Sequence, residues 1–174
     1  MKIYTNYYEE FISLNLDESE PITDFNFMED SPIFGPNGSN WQQPKNINPY
    51  DFLHGYCHIF ALALHNQFHY PIYVIKDSNN EIVHFYCKDT YKDKPVYIDV
   101  RGITNDFDTF ANEFEDFIDK QDMLSHSTLA NIQEIKDNIK HDKEENILQT
   151  AEYIIDDQIN GYNSQYLTKN HKTT

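Results

Sequence analysis

Three short runs between residues 71 and 100 constrain this chain more than anything else in it. "PIYVIK" (71–76) is β-branched and aromatic, "EIVHFYC" (81–87) alternates, and "PVYIDV" (95–100) is apolar except for one acid. Between them stand "DSNN" and "KDTYKDK", which carry turn chemistry. The spacing predicts a three-stranded antiparallel meander.

Ahead of the meander lies "HGYCHIFALALH" (54–65), whose run from Cys57 to about Phe68 has helical periodicity. Cys57, Phe60, Ala61, Leu64 and Phe68 share one face, with His58, His65 and His69 on an adjacent stripe. Asn48 and Pro49 suit the start of a preceding short helix that Gly55 interrupts. After the meander, Thr104 or Asn105 can cap "DFDTFANEFEDFIDK", in which Phe107, Phe110, Phe114 and Phe117 or Ile118 follow helical spacing. Residues 128–160 predict one long helix, or two joined near 141–146.

These elements define an α+β fold, with the Cys57 helix packed on a small antiparallel sheet and a helical C-terminal segment. The length suits one domain over residues 1–160. It divides into an N-terminal flank (1–50), a core (51–104) and an acidic helical region (105–160), followed by a flexible tail (161–174). Within the flank, residues 1–16 read as a short helix and 17–40 as extended loop.

Composition narrows the function. Twelve Phe, thirteen Tyr and Trp41 supply an aromatic core, which argues against disorder. The formal charge of −16 opposes direct nucleic-acid binding, because phosphate contacts need Lys and Arg. That charge sits in the flanks: residues 51–104 are nearly neutral, with six acidic and five basic side chains. No apolar run is long enough for a membrane span, and "MKIYTNYYEEF" lacks the apolar core of a signal peptide. The expected location is cytoplasmic, the host cytoplasm if the chain is phage-encoded. Two cysteines without a CxxC spacing suggest neither a disulfide framework nor a structural metal site.

Cys57 is the residue with chemical promise. A helix N-terminus and a nearby imidazole both lower a thiol pKa and favour the reactive thiolate. Alternation puts His84 and Tyr86 on one strand face and Phe85 and Cys87 on the other, so His84 and Cys87 cannot both face Cys57. Asp99, an acid inside an apolar strand, needs a partner, and His84 is the obvious one. A carboxylate there would hold the imidazole tautomer and stabilise the imidazolium.

The order "GYC" before a helix, "VHFY" in a middle strand and "VYIDVRG" in the next resembles the Cys, His, Asp core of papain-like and transglutaminase-like cysteine hydrolases. It is similar in particular to compact members encoded by phages and mobile elements. The resemblance covers roughly residues 53–104. It implies Cys57 as nucleophile, His84 as general base and acid, and Asp99 as the orienting acid, with no cofactor and a protein or peptide-like substrate. The chain departs from the pattern in having Tyr86 where Trp is common and Val100 where Pro is common. The nearest glutamines ahead of the cysteine are Gln42 and Gln43, so oxyanion stabilisation would rest on backbone amides near Cys57. Cys57→Ala and His84→Ala are expected to abolish turnover almost equally, and Asp99→Asn to cost it less, since an amide oxygen can still orient the ring.

Plainer readings compete. Taken singly, Cys57 is a core thiol, His84 a packing residue and Asp99 a turn cap; Cys87 reads as core. His65 and His69 are four apart but lack a nameable further ligand, so they read as a polar stripe and not a metal site. The alternative function is non-catalytic: an acidic phage or mobile-element inhibitor that imitates DNA charge and binds a basic, nucleic-acid-binding host defence protein. Asp106, Glu113, Glu115 and Asp116 would carry that interface.

Overall fold

A computed structural model describes residues 15–17, 20–21, 51–139, 142–157 and 159–164. A small antiparallel pair, β1 (Asn15–Asp17) and β2 (Glu20–Pro21), lies in the N-terminal flank. Asn15 and Leu16 are thus strand where a helix was expected. The rest of that expected helix, most of the 17–40 loop and the Asn48–Pro49 helix start lie outside the described residues.

The main body begins with α1 (Asp51–His54) and α2 (Cys57–Phe68). Strands β3 (Ile72–Lys76), β4 (Ile82–Tyr91), β5 (Lys94–Asp99) and β6 (Gly102–Thr104) follow. Helix α3 (Phe107–Ala111) passes into a 3₁₀ turn over Asn112–Phe114, then come α4 (Lys120–Met123) and β7 (Ser127–Leu129). Helices α5 (Ile132–Asn138), α6 (Asp142–Asp157) and α7 (Ile159–Tyr162) complete the described chain.

The expected α+β class holds, and the expected meander is the centre of a larger sheet of five antiparallel strands in the order β6-β5-β4-β3-β7. Strand β4 continues through "KDT" to Tyr91, because the alternation persists there and buries the Tyr91 ring. The turn shrinks to Lys92 and Asp93, both with positive φ (47° and 64°), the backbone that matches the twist of a two-residue hairpin. At "DSNN" the Asp77 carboxylate accepts the Asn79 and Glu81 N–H groups at 2.8 and 2.9 Å.

Helix α2 is buried on nearly every side. Ile59, Leu62 and Ala63 are as enclosed as Phe60, Ala61 and Leu64, so the single apolar stripe read from the sequence is too narrow. The sheet lies against one side and α6 against another. Cys87 Sγ donates to the Ala61 carbonyl at 3.4 Å, which fixes the Cys87 face of β4 as the α2 face. By alternation His84 and Tyr86 point to the opposite face. There Phe110 packs on Tyr86 and Tyr97, with ring centres 4.9 and 5.2 Å apart.

Asp106 caps α3, accepting from the Asp108 and Thr109 N–H groups, in place of Thr104 or Asn105. The single helix expected over 106–120 breaks into shorter turns, and Ile118 is buried while Phe117 is 60% exposed. The C-terminal joint falls before "DKEEN", whose good helix formers extend α6. Tyr162 and Ser164, expected in the tail, are buried: Tyr162 donates to the Val100 carbonyl at 2.6 Å, and Tyr70 donates to the Tyr162 carbonyl at 2.9 Å.

Candidate active site

Helix α2 starts at Cys57 because Tyr56, with φ −111° and ψ 28°, stands outside the helix and offers no side-chain cap. The Asp51 carbonyl takes the Gly55 and Tyr56 N–H groups, closing α1 just ahead of it. The N–H groups of Cys57 and His58 therefore open α2 with no helical carbonyl behind them, and the positive end of the helix falls on the thiol.

His84 sits where the sheet is irregular. Ile75 pairs with His84 but Lys76 pairs with Ile82, so Val83 is an inserted residue immediately before it. On the other side of β4, pairing with β5 begins only at Cys87. The Phe85 N–H, two residues upstream, instead donates to Cys57 Sγ at 3.5 Å. The thiol thus meets β4 at the level of its backbone, in the stretch of that strand not paired with β5. It reaches His84 by that route, although α2 packs on the opposite sheet face.

The His84 ring is fully buried and stacks on Phe114 at 4.3 Å between centres. Its Nε2 faces Asp99 Oδ2 at 3.0 Å. The other nitrogen, Nδ1, is buried without a completed hydrogen bond. The Cys57 thiol and the ring nonetheless stabilise each other's charged forms, through a side-chain hydrogen-bonding interaction and through charge, at a geometry looser than a full hydrogen bond. Burial pushes the Cys57 thiol up, but contacts with His58 and His84 and the Phe85 N–H outweigh it and bring the thiol down to about 6. Burial works against the imidazolium of His84, yet Asp99 and Cys57 carry its pKa above the ordinary value. Cys87 has no such help: burial raises its thiol well above the ordinary range.

Asp99 closes the strand and begins the turn into β6. Its Oδ1 accepts the Arg101 N–H at 2.9 Å, so the turn-cap role and the His84 role occur together. Arg101 is the residue that the sequence reading missed. Its side chain is 1% exposed, and it holds the carboxylate through Nε, at 3.1 and 3.2 Å to the two oxygens, and through Nη2, at 2.6 Å to Oδ2. The guanidinium lies 5.4 Å from the ring centres of both Phe110 and Phe114, and Nη2 donates to the Phe110 carbonyl at 3.3 Å. Burial works against the Asp99 carboxylate, but Arg101 and His84 hold its pKa far below the ordinary carboxylate range.

Cys57, His84 and Asp99 are thus brought together, with Cys57 the most exposed of the three at 8%. The four acids of the alternative interface are mostly engaged locally. Asp106 caps α3, Glu113 faces His54 at 3.4 Å and Glu115 pairs with Lys120 at 3.0 Å, while Asp116 is exposed. His65 Nδ1 is bonded to the Tyr70 carbonyl at 2.7 Å. Among the described residues no group of three or more His, Cys, Asp or Glu is placed to hold a metal ion. Nor is any described helix long and apolar enough to cross a membrane.

Comparison with protein-family models finds no match for this chain, and neither does comparison with curated proteins or with solved structures.

Proposed function

We propose that this chain is a cysteine-dependent hydrolase or acyl transferase acting on an amide or thioester carbonyl. The observation that carries the reading is a thiol at the start of α2, held against the β4 backbone at Phe85, beside a buried imidazole whose far nitrogen faces a carboxylate. The resemblance of "GYC", "VHFY" and "VYIDVRG" to papain-like and transglutaminase-like hydrolases leads to the same roles.

In the proposed reaction the Cys57 thiolate attacks the carbonyl carbon, and the carbonyl electron pair moves onto oxygen. The N–H groups of Cys57 and His58, at the open start of α2, would serve as donors for that oxyanion. As the pair returns, the bond to the leaving nitrogen or sulfur breaks, and His84 gives the leaving group its proton. Neutral His84 then takes a proton from water or an amine, which attacks the Cys57 thioester. The acyl group departs as acid or amide, and the thiolate–imidazolium pair is restored. Asp99 keeps Nε2 protonated and Nδ1 directed at the chemistry throughout.

An activated ester tests this directly. With p-nitrophenyl acetate, intact-mass analysis should find one acetyl group on Cys57 that hydroxylamine removes. Cys57→Ser and His84→Ala should abolish it. Acetylation that persists in Cys57→Ser, or none on the folded wild type, would defeat the proposal.

A further inference from the structure

We infer that Arg101 is a positioning residue which neutralises Asp99, so that the charge of His84 remains available to the Cys57 thiolate. The inference rests on Cys57 being the working nucleophile.

The argument is one of buried charge. Cys57, His84, Asp99 and Arg101 are each at most 8% exposed, so solvent does little to balance them. His58, partly exposed, is a hydrogen-bond partner of the thiol, so with His84 as the one fully buried imidazolium of the site, a single buried cation would serve two anions, Asp99 and the thiolate. Arg101 supplies the missing cation. Its backbone N–H, Nε and Nη2 all engage the carboxylate and cover both oxygens. Phe110 and Phe114 flank the guanidinium, and the Phe110 carbonyl takes one of its N–H bonds, which holds the fork in place. The Asp99–Arg101 unit therefore acts towards His84 as a neutral hydrogen-bond acceptor, the role an amide could fill alone.

This makes a prediction that a purely structural arginine would not. In Arg101→Met, alkylation of Cys57 by iodoacetamide should show the thiolate fraction at pH 6 reduced at least about tenfold. Adding Asp99→Asn to that variant should restore it, because a neutral amide needs no counterion. Arg101→Lys should retain most of it. A folded Arg101→Met protein whose Cys57 titrates as in the wild type would overturn the inference. If Arg101→Met does not fold, the double variant decides: a reactive thiolate at pH 6 supports the inference, and an ordinary thiol in the folded double variant overturns it. An ordinary thiol in the wild type itself would instead defeat the proposed function.

Discussion

Arg101 Nη2 stands 2.6 Å from Asp99 Oδ2, the same oxygen that faces His84 Nε2 at 3.0 Å. This shared oxygen gives Asp99→Asn a stability cost that is separate from its effect on turnover. Asp99→Asn takes from buried Arg101 the carboxylate that its Nε and Nη2 hold. Breaking one side of such a pair costs about 3–5 kcal/mol. In urea denaturation Asp99→Asn should be markedly less stable than the Asp99→Asn, Arg101→Met double variant. Equal midpoints would show that the pair is not worth its burial.

Asp99, His84 and Cys57, the shifted groups of the site, make stability depend on pH in different windows. Asp99 lies below its ordinary 3.8, so its contribution is complete above that value and is lost as pH falls through the folded value. His84 lies above its ordinary 6.5, so its contribution is complete below 6.5 and is lost as pH rises through the folded value. Cys57, lowered from 9.0 to about 6, contributes fully above 9.0 and loses that contribution as pH falls through about 6. The stability gap between wild type and Cys57→Ser should therefore widen from about pH 6 toward neutrality. Denaturation midpoints measured across that range check it, and a constant gap would mean that the thiol does not ionise early.

Phe114 is fully buried, and its ring lies 4.3 Å from that of His84. Phe114→Ala should cost about 3–5 kcal/mol and report mainly on packing. Phe114→Leu preserves more volume and should keep the fold while loosening the imidazole, slowing Cys57 acetylation more than it lowers the thermal midpoint. Unchanged acetylation in Phe114→Leu would remove Phe114 from the account of how His84 is held.

The acidic segment after β6 separates two kinds of surface charge. Asp106→Ala removes a helix cap and should cost about 1 kcal/mol. Exposed Asp116→Asn should stay within about 0.5 kcal/mol of wild type. Thermal denaturation distinguishes them, and equal effects would deny Asp106 its capping role.

Alternation and turn residues made β3, β4 and β5 legible, and chain order made Cys57, His84 and Asp99 legible as a set. Strand β7 was not, because Ser127, Thr128 and Leu129 carry no pattern of their own; they pair along β3 through its outer edge. The second turn of the meander was misjudged where Lys92 and Asp93 adopt a conformation more often given to Asn or Gly. Arg101 was hidden for a different reason. In "DVRG" it reads as a solvated charge beside a turn, and only the tertiary placement of Phe110 and Phe114 shows that it is buried. The face of α2 against β4 was also beyond the pattern, since periodicity does not reveal that the thiol meets β4 at Phe85, short of where its pairing with β5 begins.

The most direct test of the central claim is the rate of Cys57 alkylation by iodoacetamide, resolved by peptide mass, from about pH 5 to about pH 9. In the wild type the rate should rise with a midpoint near pH 6, with Cys87 unreactive until the protein unfolds, and in His84→Ala the Cys57 midpoint should move up to the range of an ordinary thiol. A wild-type midpoint already in that range, unchanged by His84→Ala, would contradict the account.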